Sequence, residues 1–206
     1  MTLRQTVLLA LATLALTGCG SSPPVHYHAL TSSAPPQATG SARMLIEILP
    51  VAMPERLNRE DMVLSSASGQ LDVREGERWA APLSDEVRQL LSDALWERLQ
   101  ASDTYQAPVA TNASGLAQYR LALRIERFEA VPGRDVLVQG SWTARRLPQG
   151  QSATCRASIS VPLPAATPEA AAVALSDGSG QLSRLVADSI ERLNQNNSNA
   201  CPPGVP

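Results

Sequence analysis

His26 and His28 are the only histidines in the chain, and in an extended strand their spacing places both rings on one face. Two imidazoles so placed could begin a metal site, but zinc chemistry needs further ligands, and no Cys, Asp or Glu stands nearby at ligand spacing. The plainer reading is a pair of solvent-facing histidines at the start of the fold. A Ser-His-Asp triad would have to draw on one of these same rings, and no Gly-x-Ser-x-Gly turn is present to raise a nucleophile. Cys155 has neither a CxxC partner nor a neighbouring His, and reads as unreactive. The acidic pairs Asp85/Glu86 and Glu75/Glu77 are accounted for by helix capping and loop solvation. All 17 basic side chains are Arg, which removes a phosphate-loop lysine, a Schiff-base lysine and a lysine general base. These residues predict no catalysis, no cofactor and no metal ion.

The bulk properties agree with a binding or structural role. At 206 residues, with 44% hydrophobic and 17% charged side chains, the chain suits one globular domain with unstructured ends. A net charge of −2 offers no polyanion-binding surface, so nucleic acid is not an expected partner.

The N-terminus carries one positive charge, Arg4, and then the apolar run "TVLLALATLAL", shorter than the ~20 residues of a spanning helix. It reads as a signal peptide over residues 1–18. Leu16-Thr17-Gly18-Cys19 resembles the lipobox of bacterial lipoproteins, which implies cleavage before Cys19 and lipid attachment to its thiol. Gly20 follows where the inner-membrane retention signal has Asp, so the expected location is the outer membrane, with the domain facing the periplasm. Residues 19–24 form the tether. In that oxidising compartment Cys155 and Cys201 have two readings. They form a disulfide, or Cys155 is a small buried residue on the same strand face as Ala157, Ile159 and Val161.

The elements that must position these residues follow from periodicity. "VHYHAL" predicts a first strand, and Met44–Leu49 a buried one ended by Pro50 and Pro54. Two short strands are expected around Ser68-Gly69. Leu83, Val87, Leu90, Leu91, Ala94, Leu95 and Leu99 predict a helix with Ser84 as N-cap. A three-strand meander follows. In its first strand Tyr119, Leu121, Leu123 and Ile125 face away from Arg120, Arg124 and Glu126. In its second, Val136, Val138, Gly140 and Trp142 share a face. A last helix opens at Thr167-Pro168, carries the stripe Leu182, Leu185, Val186, Ile190, Leu193, and is expected to break or kink at Gly178 and Gly180. Residues 25–194 thus form the domain, and 195–206 a disordered tail. The class is α+β, a mainly antiparallel sheet with two helices packed on one face. Trp96 and Trp142 are expected in the core, while Trp79, in a predicted loop, is the candidate for an interface.

Several of these segments together resemble one family. Tyr27-His28-Ala29-Leu30, then Val51, Pro54, Leu57, Arg59, Met62 and Val63 in approximate register, "RWAAPL" leading into a helix, and "RFEA" followed by "VLVQGSW" are similar to the PqiC/YmbA family of ABC-type transport auxiliary lipoproteins. The resemblance runs from Cys19 to about Leu193. It implies an outer-membrane lipoprotein of an MCE-type lipid-transport system, with a PqiB-like MCE-domain protein and its inner-membrane component as partners, and leaves a homo-oligomeric ring open. It implies no catalytic residues. Cys155, Cys201 and the polar tail depart from the family pattern, so a disulfide there would be a local addition. Two other readings stand beside docking: a domain that itself carries a hydrophobic ligand, and a lipoprotein regulator of a cell-envelope enzyme.

Overall fold

The computed structural model describes residues 24–32, 40–66, 68–105, 107, 115–197 and 199–203. The lipobox-like segment, the signal peptide and the tether up to residue 23 lie outside the described residues.

The meander is the centre of the fold. Alternating apolar and polar side chains build β6 (Ala117–Val131), β7 (Asp135–Arg146) and β8 (Ser152–Pro162), paired antiparallel as expected. β2 (Met44–Ile48) and β5 (Ala101–Asp103) extend this sheet in parallel, giving the order β5-β2-β6-β7-β8. A second sheet has three strands in the order β1-β4-β3, formed by β1 (His26–His28), β3 (Asp61–Ser65) and β4 (Leu71–Trp79). The fold is therefore α+β with mixed, largely antiparallel sheets, and the single sheet expected from the sequence is divided in two. The period-2 pattern of β6 changes phase at a bulge: Ile125 lies opposite Gly140 and Phe128 opposite Val138, with the register shifting between Ile125 and Arg127. The extra residue keeps both Ile125 and Phe128 on the buried face although their numbers differ in parity.

Two helices cover that face. α1 (Leu83–Leu99) buries Leu83, Val87, Leu90, Leu91 and Leu95. Its N-cap is Pro82 and no side chain caps it, so Ser84 sits inside the first turn and not at the predicted cap. Arg88 of α1 donates to the Ile48 carbonyl and pairs with Asp103, which itself accepts the Ile48 amide; one guanidinium thus ties α1 to the β2–β5 edge. α2 (Pro168–Asn194) starts as predicted, with the Thr167 hydroxyl accepting from the Ala170 amide and Pro168 in the first turn.

α2 runs without a break through Gly178 and Gly180, contrary to the expected kink. The two glycines do different things. A Cβ on Gly178 would stand 3.0 Å from Val138 Cγ2, so its missing side chain is what lets the helix settle onto β7. Gly140, on the facing strand, is as tight, its Cβ position lying 3.0 Å from Leu182 Cδ2. At Gly180 the nearest atom is Arg184 Nη1 at 3.7 Å, which leaves ordinary room. Gly178→Leu is therefore expected to cost about 1–3 kcal/mol through overpacking. Gly180→Ala is expected to stabilise by up to about 1 kcal/mol through helix propensity. Urea unfolding of the two variants checks both signs.

Cys155 of β8 and Cys201 are joined by a disulfide. The described part of the C-terminal segment, expected to be disordered, is held down by that bond, and Ala200 beside it is 4% exposed. The bond fixes the segment to β8, the edge strand of the sheet.

Candidate functional site

β1 is where the chain enters the fold, and a carboxylate holds it there. β1 pairs in parallel with the end of β4, placing His26 opposite Glu77 and His28 opposite Trp79. Glu77 consequently faces both rings: His26 Nδ1 lies 3.0 Å from Oε1 and His28 Nε2 lies 2.6 Å from Oε2. The first strand is pinned to the small sheet by two side-chain bonds as well as by its backbone. The predicted pair of solvent-facing histidines is thus half corrected. His26 is exposed, whereas the His28 side chain is only 10% exposed, and it is Tyr27, at 65%, that points outward. Two bonds to one carboxylate outweigh the burial of a single tyrosine on a three-residue edge strand.

Each ring nitrogen takes a different carboxylate oxygen, which is the geometry of a clamp. Among the described residues no group of three His, Cys, Asp or Glu is placed to hold a metal ion. The electrostatics match: the bond to Glu77 raises the His26 pKa above its ordinary 6.5, the Glu77 charge adds to this, desolvation opposes it weakly, and the Glu169 charge contributes last. The Glu77 pKa is lowered, first by its bond to His28 and then by that to His26. Both signs define one window. The His26 contribution is complete below its unfolded value and is lost as pH rises through the raised folded value; the Glu77 contribution is complete above its unfolded value and is lost as pH falls through the lowered one. The clamp is therefore strongest in mildly acidic solution. NMR titration is expected to find the His26 pKa above 6.5 in the native chain and returned toward it in Glu77→Gln.

Beyond β1 the chain crosses both helices. The Leu30 amide donates to Glu86 Oε2 at 2.8 Å and the Thr31 amide to Ser176 Oγ at 3.3 Å, linking the entry segment to α1 and α2 in turn. Thr31 then forms part of a groove of about 650 Å³ between residues 161–165 and the N-terminal half of α2. Its walls are apolar: Val161, Leu163 and Ala165 on one side, Ala170, Val173 and Ala174 on the other. Val173 is 70% exposed there, the most exposed large apolar side chain among the described residues. Among the described residues, the charged side chains lining the groove are Glu169 and Asp177.

Sequence reasoning found the histidines but not their partner. Glu77 lies 49 and 51 residues away, and only the parallel pairing of β1 with β4 reveals it. Trp79 is placed differently from the expectation. It ends β4, not a loop, is 4% exposed, and meets Phe128 edge-on with ring centroids 6.2 Å apart. A side chain so enclosed supports the core and presents no contact surface. Cys19 lies outside the described residues.

Comparison with known proteins places this architecture. The model of a family described as ABC-type transport auxiliary lipoprotein component matches residues 28–187. The crystal structure of an uncharacterized protein is similar at 20% identity and a TM-score of 0.66, over 82% of this chain and 99% of that one. The crystal structure of protein XCC0632 from Xanthomonas campestris, of family model DUF330, is similar at 16% identity and a TM-score of 0.62, over 85% and 99%. These structural likenesses show a shared fold. No curated protein matches.

Proposed function

This chain belongs to the ABC-type transport auxiliary lipoprotein components, and from that premise we propose that it is the outer-membrane docking subunit of an MCE-type, PqiABC-like intermembrane lipid-transport system. A lipid on Cys19 holds it in the outer membrane, and the domain engages a PqiB-like MCE protein that reaches across the periplasm. The observation that carries the reading is the order of the two signals: the family-matched region begins at residue 28, nine residues after the cysteine of a lipobox-like segment. Nine residues keep the domain within about 30 Å of the bilayer surface, at about 3.5 Å per extended residue. The Glu77 clamp fits such a place, because any pull on the tether falls first on β1. No helix among the described residues is long and apolar enough to cross a membrane.

The test is affinity capture of the full chain from chemically cross-linked envelopes. The expected product is an MCE-domain protein. Recovery of a cell-wall synthase in its place would favour the regulator reading and overturn this one.

A further inference from the structure

We propose that the groove between residues 161–165 and the N-terminal half of α2 docks an amphipathic helix of a partner protein, one whose apolar face carries basic residues eight positions apart. The proposal rests on the docking reading and says where and how the partner is held.

Three observations fix the chemistry of the occupant. The groove floor and walls are apolar, and Val173 stands exposed in the middle of the α2 wall. Glu169 and Asp177 lie on either side of Val173 along the same helix, and neither forms an ion pair within 4.0 Å with a described residue. Being eight residues apart, they are separated by about 12 Å along the helix axis, the rise being about 1.5 Å per residue. An incoming helix with the same eight-residue spacing between two cations would satisfy both carboxylates while its leucines cover Val173. Ala170 and Ala174 keep the wall low, so the two helices can approach closely.

The alternatives fit less well. A phospholipid presents at most one ammonium, and its phosphate would face two carboxylates, neither held in an ion pair within 4.0 Å by a described residue. A second copy of this chain buries the main apolar stripes of its helices on its own sheet, and the face that α2 leaves exposed would bring another Glu169 and Asp177 against the same two carboxylates.

The experiment compares two labelled synthetic helices with identical leucine faces, one carrying Arg and the other Glu at two positions eight apart. Each is titrated with the full chain by fluorescence anisotropy. The Arg peptide is expected to bind, and the Glu peptide to bind roughly tenfold more weakly or not at all. The double variant Glu169→Gln/Asp177→Asn should bring the two peptides to equal affinity, and Val173→Asp should abolish both. All three residues are exposed, and unchanged thermal midpoints confirm that the variants fold. Equal binding of the two peptides to the native chain, no binding of either, or binding that survives Val173→Asp would overturn the proposal. Lysophosphatidylethanolamine that binds and is lost in Val173→Asp, with no peptide binding, would identify a lipid groove instead. If the peptides fail while an MCE-domain protein is still captured from envelopes, docking stands and its surface lies elsewhere; failure of both removes docking itself.

Discussion

Trp142→Ala is expected to lower the free energy of unfolding by about 3–5 kcal/mol, read as a shift in the urea midpoint with an unchanged slope. Trp142 is 2% exposed and is among the largest fully buried side chains. It stands on β7, the middle strand of the meander, between Leu123 of β6 and Cys155 of β8. Its indole Nε1–H donates to Ser189 Oγ at 2.8 Å, and that hydroxyl donates in turn to the Val186 carbonyl at 2.7 Å. Removing the ring opens a cavity at the contact between helix and sheet. Removing only the donor does less: Trp142→Phe keeps most of the packing, leaves the Ser189 hydroxyl its bond to Val186, and should cost about 1 kcal/mol. Equal losses in the two variants would show that the hydrogen bond, and not packing, holds α2 on β7.

Cys19→Ala is expected to have the largest effect in the cell and a negligible one on folding. One acyl chain binds a bilayer only marginally, whereas two or more hold a protein durably, so loss of the attachment point should remove the protein from the outer-membrane fraction. The described fold begins at Pro24, and no described contact depends on Cys19, so the thermal midpoint of the variant should match that of the native domain. A variant that still pelleted with the outer membrane would contradict the lipid anchor.

The parts of this fold that were legible in the sequence are those set by neighbouring residues. The alternation of β6 and β7 follows from the pleat, the stripe of α2 from helical spacing, and its start from Thr167 and Pro168. What could not be read depends on distant pairing. β1 is three residues long, and its partner strand lies some fifty residues on, so neither the inward turn of His28 nor the role of Glu77 has a local signal. Trp79 looked like a loop residue because the preceding stretch, "DVREGER", is charged on both faces; it is a strand whose first residues stand in solvent, and only its last reaches the core. The bulge in β6 could have been suspected, since Phe128 breaks the odd-numbered apolar pattern that ends at Ile125. The bond between Cys155 and Cys201 pairs a mid-strand residue with one in a Pro-rich segment, and no spacing rule links the two. Gly178 was read as a helix breaker because a missing side chain looks the same in sequence whether it weakens a helix or makes room for a strand.

The central claim is that this chain holds the outer-membrane end of a periplasm-spanning conduit. It is tested most directly by separating inner and outer membranes on a density gradient and locating the MCE-domain protein. With the native chain present, that protein is predicted to distribute between the inner- and outer-membrane fractions. With the chain deleted or carrying Cys19→Ala, it is predicted to remain in the inner-membrane fraction alone. An MCE protein whose distribution is the same in all three strains would contradict the account.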